Sequence, residues 1–314
     1  MKVFVVDGGF GFFKYLVLDG KCKVENVPEN PKGKIRSCYK RTGEGWKVGE
    51  SALLETGSGY VRTVDELIEM HPIFVEHCQK AAGVSEVDVL VVGLPLGAYE
   101  EKAELLQKKL KNTVLQKNAN AKIFVFPQGL GGIKYFLSRH PVKKGNVFGI
   151  DVGFNTVITT LYDVENKQIL TGKTYYRKGI SDLVTSLLLP RIRKFVGDKT
   201  LTPQELNYLT EHKKLQIGFE IIDISYEVEE STKEYVDDLI NFIANDLKSN
   251  FGVITFEHLV FFGGGANWLK GKLVSEKVNV VILEEPEFAN AYGFAVKALE
   301  LLSKAQPKQK QEQT

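Results

Sequence analysis

The segment Asp7-Gly8-Gly9-Phe10 returns about half a chain later as Asp151-Val152-Gly153-Phe154. Each copy follows an apolar run, Val3-Phe4-Val5-Val6 in the first and Val147-Phe148-Gly149-Ile150 in the second. Each leads into another β-prone run, Phe12 to Leu18 and Thr156 to Tyr162. The pattern strand, Asp-x-Gly turn, strand therefore occurs twice, and an internal repeat constrains a fold more than a single motif does. A carboxylate at a hairpin tip can hold a hydrated metal, and glycines beside it let backbone N–H groups approach phosphate oxygens. The same Asp-Gly pattern also makes a plain hairpin with no ligand. A third element favours a ligand. Val260-Phe261-Phe262 reads as a buried strand, and Gly263-Gly264-Gly265-Ala266-Asn267 after it opens a helix running through Trp268, Leu269 and Leu273. A glycine-rich strand-to-helix turn packs backbone flat against a nucleotide.

At 314 residues the chain is long enough for two ordinary domains or one large one. A net charge of +2 supplies no basic field for DNA or RNA, so a link to nucleic acid would run through a partner. Cys22, Cys38 and Cys78 are odd in number, lack metal-ligand spacing and suit a reducing cytoplasm. The strand from Val3 meets Asp7 too early for a signal peptide, and no apolar run approaches membrane-spanning length. The five histidines, His71, His77, His140, His212 and His258, show no ligand spacing.

Strand-like pieces around Ile35–Tyr39 and Trp46–Val48 follow the first hairpin, and Pro72 to Ala82 has helical spacing. Val87–Val92 is apolar without polar alternation after Asp88, which marks a strand buried on both faces. A helix from about Tyr99 to Leu110, a strand over Ile123–Phe126 and a helix carrying Ile133, Phe136 and Leu137 complete the first half. Lys143-Lys144-Gly145 is a short polar joint. Beyond it come strands over 147–151, 156–163 and 168–176, and a helix from Ile180 to Val196 broken or kinked at Pro190. Thr202-Pro203-Gln204-Glu205 is a helix start, and Val236, Leu239, Ile240, Ile243, Leu247 and Phe251 form an apolar helical stripe. This order implies an α/β fold with mixed sheets flanked by helices. The expected organisation is a first domain over 1–144 and a second over 145–287. A last helix, about 288–302, would pack back on the first domain ahead of a disordered polar tail, 303–314.

Five segments in this order resemble the actin superfamily, which includes heat-shock chaperone ATPases and sugar kinases. Asp7-Gly8-Gly9-Phe10-Gly11-Phe12-Phe13-Lys14 resembles its first phosphate loop, and Asp151-Val152-Gly153-Phe154-Asn155-Thr156 its second. Pro127-Gln128-Gly129 and Pro286 to Phe294 resemble the two connecting segments, and Phe262-Gly263-Gly264-Gly265-Ala266 the adenosine motif. Gly93-Leu94-Pro95-Leu96 with Tyr99, and the compact length, are most similar to the prokaryotic actin-like group typified by ParM. The departure is a first loop bulkier than usual, with fewer hydroxyls and so more backbone contact to phosphate.

The resemblance implies two related ribonuclease H-like domains with ATP and Mg²⁺ in the cleft between them. Asp7 and Asp151 would hold Mg²⁺ through water. Lys14 would meet the β- or γ-phosphate, and Gly8, Gly9, Phe10, Gly11 and Gly153 would supply loop backbone. Gln128 would orient the attacking water, and Asp151 would polarise it or its metal. Asn155 and Thr156 would donate to the γ-phosphate, Gly263, Gly264, Gly265 and Ala266 would lie against sugar and α-phosphate, and Asn267 near the ribose. Each has a plain structural alternative: hairpin turns at the aspartates, a solvent-facing strand position for Lys14, a helix start at Gln128, and turn residues at Asn155 and Thr156. Gly179, Ser181 and Asp182 begin a helix near the same place, where helix capping is an equal explanation.

The function implied is a cytoskeletal ATPase that polymerises head to tail, with plasmid or DNA segregation through an adaptor protein as the role that goes with it. The alternative is a small-molecule kinase of the sugar-kinase branch, which needs a catalytic carboxylate such as Glu100 or Asp182. A membrane-associated scaffold would want a terminal amphipathic helix, and neither end of the sequence provides one.

Overall fold

A computed structural model describes residues 1–113, 120–250, 255–271 and 278–305. The first half contains β1 (Lys2–Gly8), β2 (Phe12–Asp19), β3 (Lys32–Arg36), β4 (Cys38–Thr42), β5 (Gly45–Val48), α1 (Glu50–Leu53), β6 (Gly59–Tyr60), α2 (Val64–Ala81), β7 (Val89–Leu94), α3 (Leu96–Thr113), β8 (Lys122–Pro127) and α4 (Leu130–Arg139). The second contains β9 (Asn146–Val152), β10 (Thr156–Asp163), β11 (Gln168–Tyr176), α5 (Ile180–Asp182), α6 (Leu189–Val196), α7 (Pro203–His212), β12 (Lys214–Ile217), β13 (Glu220–Asp223), α8 (Ser225–Asn250), β14 (His258–Phe262), β15 (Asn279–Ile282) and α9 (Ala289–Ala305).

The internal repeat is a repeat of topology. One five-stranded sheet runs β3-β2-β1-β7-β8 and the other β11-β10-β9-β14-β15. In both, the central strand pairs antiparallel with its hairpin partner and parallel with the strand on its other side. Asp7 and Asp151 stand near the carboxyl ends of the matching central strands β1 and β9. Those strands are buried almost throughout, as their unbroken apolar runs require when helices cover both sheet faces.

Helices α4 and α9 lie between the two sheets and share one core with both: Val3, Val5, Val91, Phe136, Val147, Val260, Phe262 and Tyr292 are all in it. Their backbones touch. A Cβ on Gly293 would overlap the Gly131 carbonyl, and one on Gly131 would lie 2.7 Å from the Asn290 Cα. This close approach brings Gln128 and Asn290 to the same place.

Several elements differ from the sequence expectation. The helix expected from Pro72 begins a full two turns earlier, at Val64. Thr63 caps it by accepting from the Glu66 N–H at 3.2 Å, and Pro72 is accommodated inside it. The piece read as one strand over 35–39 is split at Ser37 into β3 and β4, which belong to different sheets. The break expected at Pro190 takes the form of a π-helical segment, Leu183–Leu188, just before it. A proline supplies no N–H to the carbonyl four residues back, and a wider turn lets upstream carbonyls reach donors beyond it. The glycine-rich turn opens a short 3₁₀ helix, Gly264–Leu269, and α9 continues through Ala305, into the segment read as tail. Phe251, Leu273 and 306–314 fall outside the described residues. Among the described residues no helix is long and apolar enough to cross a membrane.

Candidate functional site

The two Asp-x-Gly hairpins face one cavity of about 250 Å³ between the halves of the chain. Asp7, Gly9, Phe10, Gly11 and Lys14 line it from the first hairpin, and Asp151, Gly153 and Thr156 from the second. Gln128, Gly263, Gly264 and Asn267 complete the set of expected residues that reach it.

The loop backbones are prepared in the same way on both sides. In the first, Gly8 O accepts from Gln128 Nε2 at 3.0 Å and Gly9 O from Ser37 Oγ at 2.6 Å. Phe10 O accepts from Gln204 Nε2 at 2.6 Å, and Gly11 O from the Ser37 N–H at 2.9 Å. In the second, the carbonyls of Gly153, Phe154 and Asn155 accept from the N–H groups of Ile180, Ser181 and Arg177 at 3.1, 2.6 and 2.6 Å. A carbonyl oxygen repels a phosphate. With successive carbonyls held by donors, each loop turns its partial negative charge away from an anion. Ser181 thus acts in the site by fixing the second loop with Arg177 and Ile180, and Gly179 permits the close approach, since a Cβ there would overlap the Gly153 and Phe154 carbonyls. The split at Ser37 has the same cause, since Ser37 bonds two residues of the first.

The charged groups are deeply placed. Asp7 is 1% exposed and Asp151 5%. Lys14 Nζ donates to Asp7 Oδ2 at 2.8 Å, and Gln128 Nε2 to Asp7 Oδ1 at 2.7 Å. Burial pushes Lys14 towards its neutral form, but the Asp7 carboxylate outweighs this and holds its pKa above the ordinary lysine value. Asn290 Nδ2 donates to Asp151 Oδ2 at 2.6 Å, while Asn290 Oδ1 accepts from the Gly129 and Gly132 N–H groups at 3.2 Å each. Burial pushes Asp151 up to about 6 against that hydrogen bond. Gly263 has φ +84°, and a Cβ there would overlap Asp151 Oδ1, so only glycine brings this turn against the carboxylate.

Among the described residues no group of three or more His, Cys, Asp or Glu side chains is placed to hold a metal ion. Two buried carboxylates facing one cavity instead fit Mg²⁺ that keeps its waters and shares phosphate oxygens.

Four expected residues do not line the cavity. Gly8 is packed beneath it, where a Cβ would overlap the His71 and Phe13 rings. Gly265 and Ala266 are buried behind the turn, where a Cβ on Gly265 would strike Val152 and Ile180. Asn155 lines a neighbouring cleft with Arg62 and Arg177, because the Arg177 N–H holds its carbonyl and Ser181 Oγ donates to its side chain at 3.2 Å. Of the two candidate kinase carboxylates, Glu100 is exposed on α3, and Asp182 lines that neighbouring cleft, accepting from Ser186 Oγ at 2.7 Å.

The cavity also gathers residues to which the sequence reading gives no site role: Asn290, Lys34, Glu287, and Asn207 with Glu211 from α7. Asn290 lies inside the second connecting segment, so its motif was a signal. Asn207 and Glu211 are ordinary helix positions whose role depends on where α7 packs.

Solved structures superpose on this arrangement over nearly the whole chain. A 15-stranded ParM filament from Clostridium botulinum is similar at TM-score 0.72 and 18% identity, over 96% of this chain and 99% of that one. An archaeal actin homologue in complex with ADP is similar at TM-score 0.68 and 18% identity, over 96% and 100%. The chain has the actin fold. The MamK double helical filament shares that fold at TM-score 0.63 and 17% identity, over 98% of this chain and 99% of that one. No family model and no curated protein matches the sequence.

Proposed function

We propose that this actin-like chain binds Mg²⁺·ATP in the central cavity, hydrolyses it, and polymerises with copies of itself in a nucleotide-dependent way. The observation that carries the reading is the pair of hairpin loops whose carbonyls are all held by donors. A loop built so is suited to a polyphosphate and has no need of that arrangement as a bare turn. The ADP complex of the archaeal homologue and the two filament structures support the same reading.

In this reading the loop N–H groups cradle the phosphates, and Lys14 exchanges part of its contact with Asp7 for a phosphate oxygen. Bound Mg²⁺ would neutralise charge on the β- and γ-phosphates. Asp7 and Asp151 would hold it through its water shell. Gln128 keeps its Nε2 on Asp7 and offers its Oε1 to the attacking water, so its part is positioning. The turn at Gly263 and Gly264, with Asn267, lies against the sugar. The joint at Lys143–Gly145 divides the two domains, with the final helix returning to the first. A cytoplasmic segregation role would add an adaptor between filament and DNA, since a net charge of +2 gives the chain no field of its own for DNA.

The test is calorimetry with ATP and Mg²⁺, followed by light scattering and electron microscopy with ATP and a non-hydrolysable analogue. Binding is expected with Mg²⁺, and polymer with either nucleotide, because closure of the cleft needs occupancy and not turnover. Absence of nucleotide binding overturns the whole reading. Binding and phosphoryl transfer to a small hydroxyl compound, with no polymer across a wide concentration range, would favour the kinase.

A further inference from the structure

Helix α7 crosses from the second half of the chain to the first, over the cavity. One side carries Leu206 into the core beneath the second sheet. The stripe formed by Gln204, Tyr208 and Glu211, spaced four and three residues apart, meets the first half. Gln204 is fully buried and donates to the Phe10 carbonyl of the first loop. Tyr208 packs on Cys38, Ala52 and Leu53. Glu211 accepts from Arg36 Nη2 at 2.5 Å. Asn207 Nδ2 holds the other Glu211 oxygen at 2.9 Å.

We propose that α7 is a strap closed over the nucleotide cavity, fastened to the first sheet by Arg36, and that this fastening sets how fast nucleotide leaves. The inference rests on the nucleotide reading above and adds the regulation of that site. Arg36 is a positioning residue, because it reaches the cavity only through Glu211 and the Phe12 ring, both of which line it. Its guanidinium is 1% exposed and sits 4.6 Å from the Phe12 centroid and 5.8 Å from that of Tyr208.

The pairing suits a fastening that opens. A buried guanidinium stripped of every carboxylate is strongly destabilising. Arg36 has two, and they lie on opposite sides of the cleft. Glu50 of α1, in the first half, accepts from Nε at 3.0 Å, and Glu211 of α7 accepts from Nη2. When the strap lifts, Glu50 stays with the charge, and what is lost is the cross-cleft pair, the Gln204 bond and the Tyr208 packing. The backbone on either side of α7 has points where it can turn. Gly197 has φ +58° before it, and Lys213 has φ +55° after it, the left-handed residue at which the helix ends.

The experiment follows release of a fluorescent ADP analogue, chased with unlabelled ADP, in wild type and in Glu211→Gln, Gln204→Ala, Arg36→Met and the Arg36→Met/Glu211→Gln double variant, with thermal melts of each. Loss of a charged hydrogen bond should speed release about tenfold in Glu211→Gln and Arg36→Met. The double variant should release no faster than the faster single, since both remove one link. Gln204 does not line the cavity but holds the Phe10 carbonyl of the first loop. Faster release in Gln204→Ala therefore counts for the strap when Glu211→Gln releases faster too, since that variant leaves the loop carbonyl held and its lost negative charge would by itself slow the release of an anion. Release within about twofold of wild type in both Gln204→Ala and Glu211→Gln, with cooperative melting, overturns the proposal, and those two variants decide it if Arg36→Met fails to fold. Should wild type bind no nucleotide, the functional reading fails and hydrogen exchange decides the strap alone. Faster exchange confined to α7 and 32–42 in Gln204→Ala supports it, and unchanged exchange there overturns it.

Discussion

Gln128 Nε2 donates to Asp7 Oδ1 at 2.7 Å, which ties the amide proposed to position water to the carboxylate proposed to hold the metal. The sequence places both residues near phosphate but gives no hint that they bond each other. Gln128→Ala therefore does two things. It removes the water acceptor, and it frees Asp7 and the Gly8 carbonyl that the same amide holds. Hydrolysis at saturating ATP should slow by about 10²-fold, the scale of a lost positioning contact, and ATP affinity should weaken severalfold as well. Phosphate release and calorimetry on the same protein check both effects. Normal turnover would mean that another residue positions the water.

Asn290 provides a sharper test of the second carboxylate. It donates to Asp151 and accepts from two N–H groups at the start of α4, so it links the second hairpin to the segment carrying Gln128. Asn290→Asp would place a second carboxylate beside a buried one, and like charges that close cannot both ionise. It should abolish Mg²⁺-dependent hydrolysis. Asn290→Ala should slow it about tenfold, the scale of one hydrogen bond to a charged group. Equal activity in the two variants would show that Asp151 does not work as an anion.

The hairpins and their common cavity are legible in the sequence because each is local: an apolar strand, an Asp-x-Gly turn and a second strand within about fifteen residues. The parts that escape it are held by distant partners. Ser37 reads as the middle of a strand, and the break there comes from its bonds to Gly9 and Gly11. Pro72 reads as a helix start, yet Thr63 with Glu66 is the stronger cap and the proline is carried inside. Asn155 stands next to Gly153 and Phe154 in the motif, but the direction of its side chain is set by Arg177 and Ser181. Nothing local marks Glu211, whose place over the cavity follows from how α7 packs.

Acid should act on two buried groups in opposite directions. Burial lowers His71 to about 4, so between about 4 and its ordinary value of 6.5 the unfolded chain holds more protons there, and stability falls as pH drops. Burial raises Asp151 from 3.8 to about 6, so between those values the folded chain holds more protons, and stability rises as pH drops. The two contributions are of similar size, about 3 kcal/mol each at full extent, and largely cancel in wild type. Each variant is compared with its own stability at pH 7. His71→Leu should lose less than wild type on moving to pH 4.5, and Asp151→Asn should lose more. Urea unfolding at pH 7, 5.5 and 4.5 measures the slopes. Parallel slopes in all three proteins would remove these groups as the source of acid sensitivity.

The crossing of α4 and α9 gives the last prediction, and it separates architecture from site. Gly131 and Gly293 let the two helices touch backbone to backbone between the sheets, which sets Gln128 and Asn290 on the same cavity. Gly293→Ala would drive a methyl into the Gly131 carbonyl, a backbone atom that cannot swing aside. The helices must then separate, at a cost of about 3 kcal/mol or more, the upper range of overpacking in a filled core. Gly264, whose added Cβ meets nothing within 4 Å, faces the open cavity. Gly264→Ala should change stability by no more than about 1 kcal/mol, because only backbone entropy and propensity are altered. It should weaken nucleotide binding all the same, since the methyl occupies space next to the ligand. Denaturant midpoints and nucleotide affinities of the two variants form a crossed pair: Gly293→Ala unstable, Gly264→Ala stable but weak in binding. If Gly264→Ala bound nucleotide as wild type does, the glycine turn would not be the surface on which the nucleotide lies.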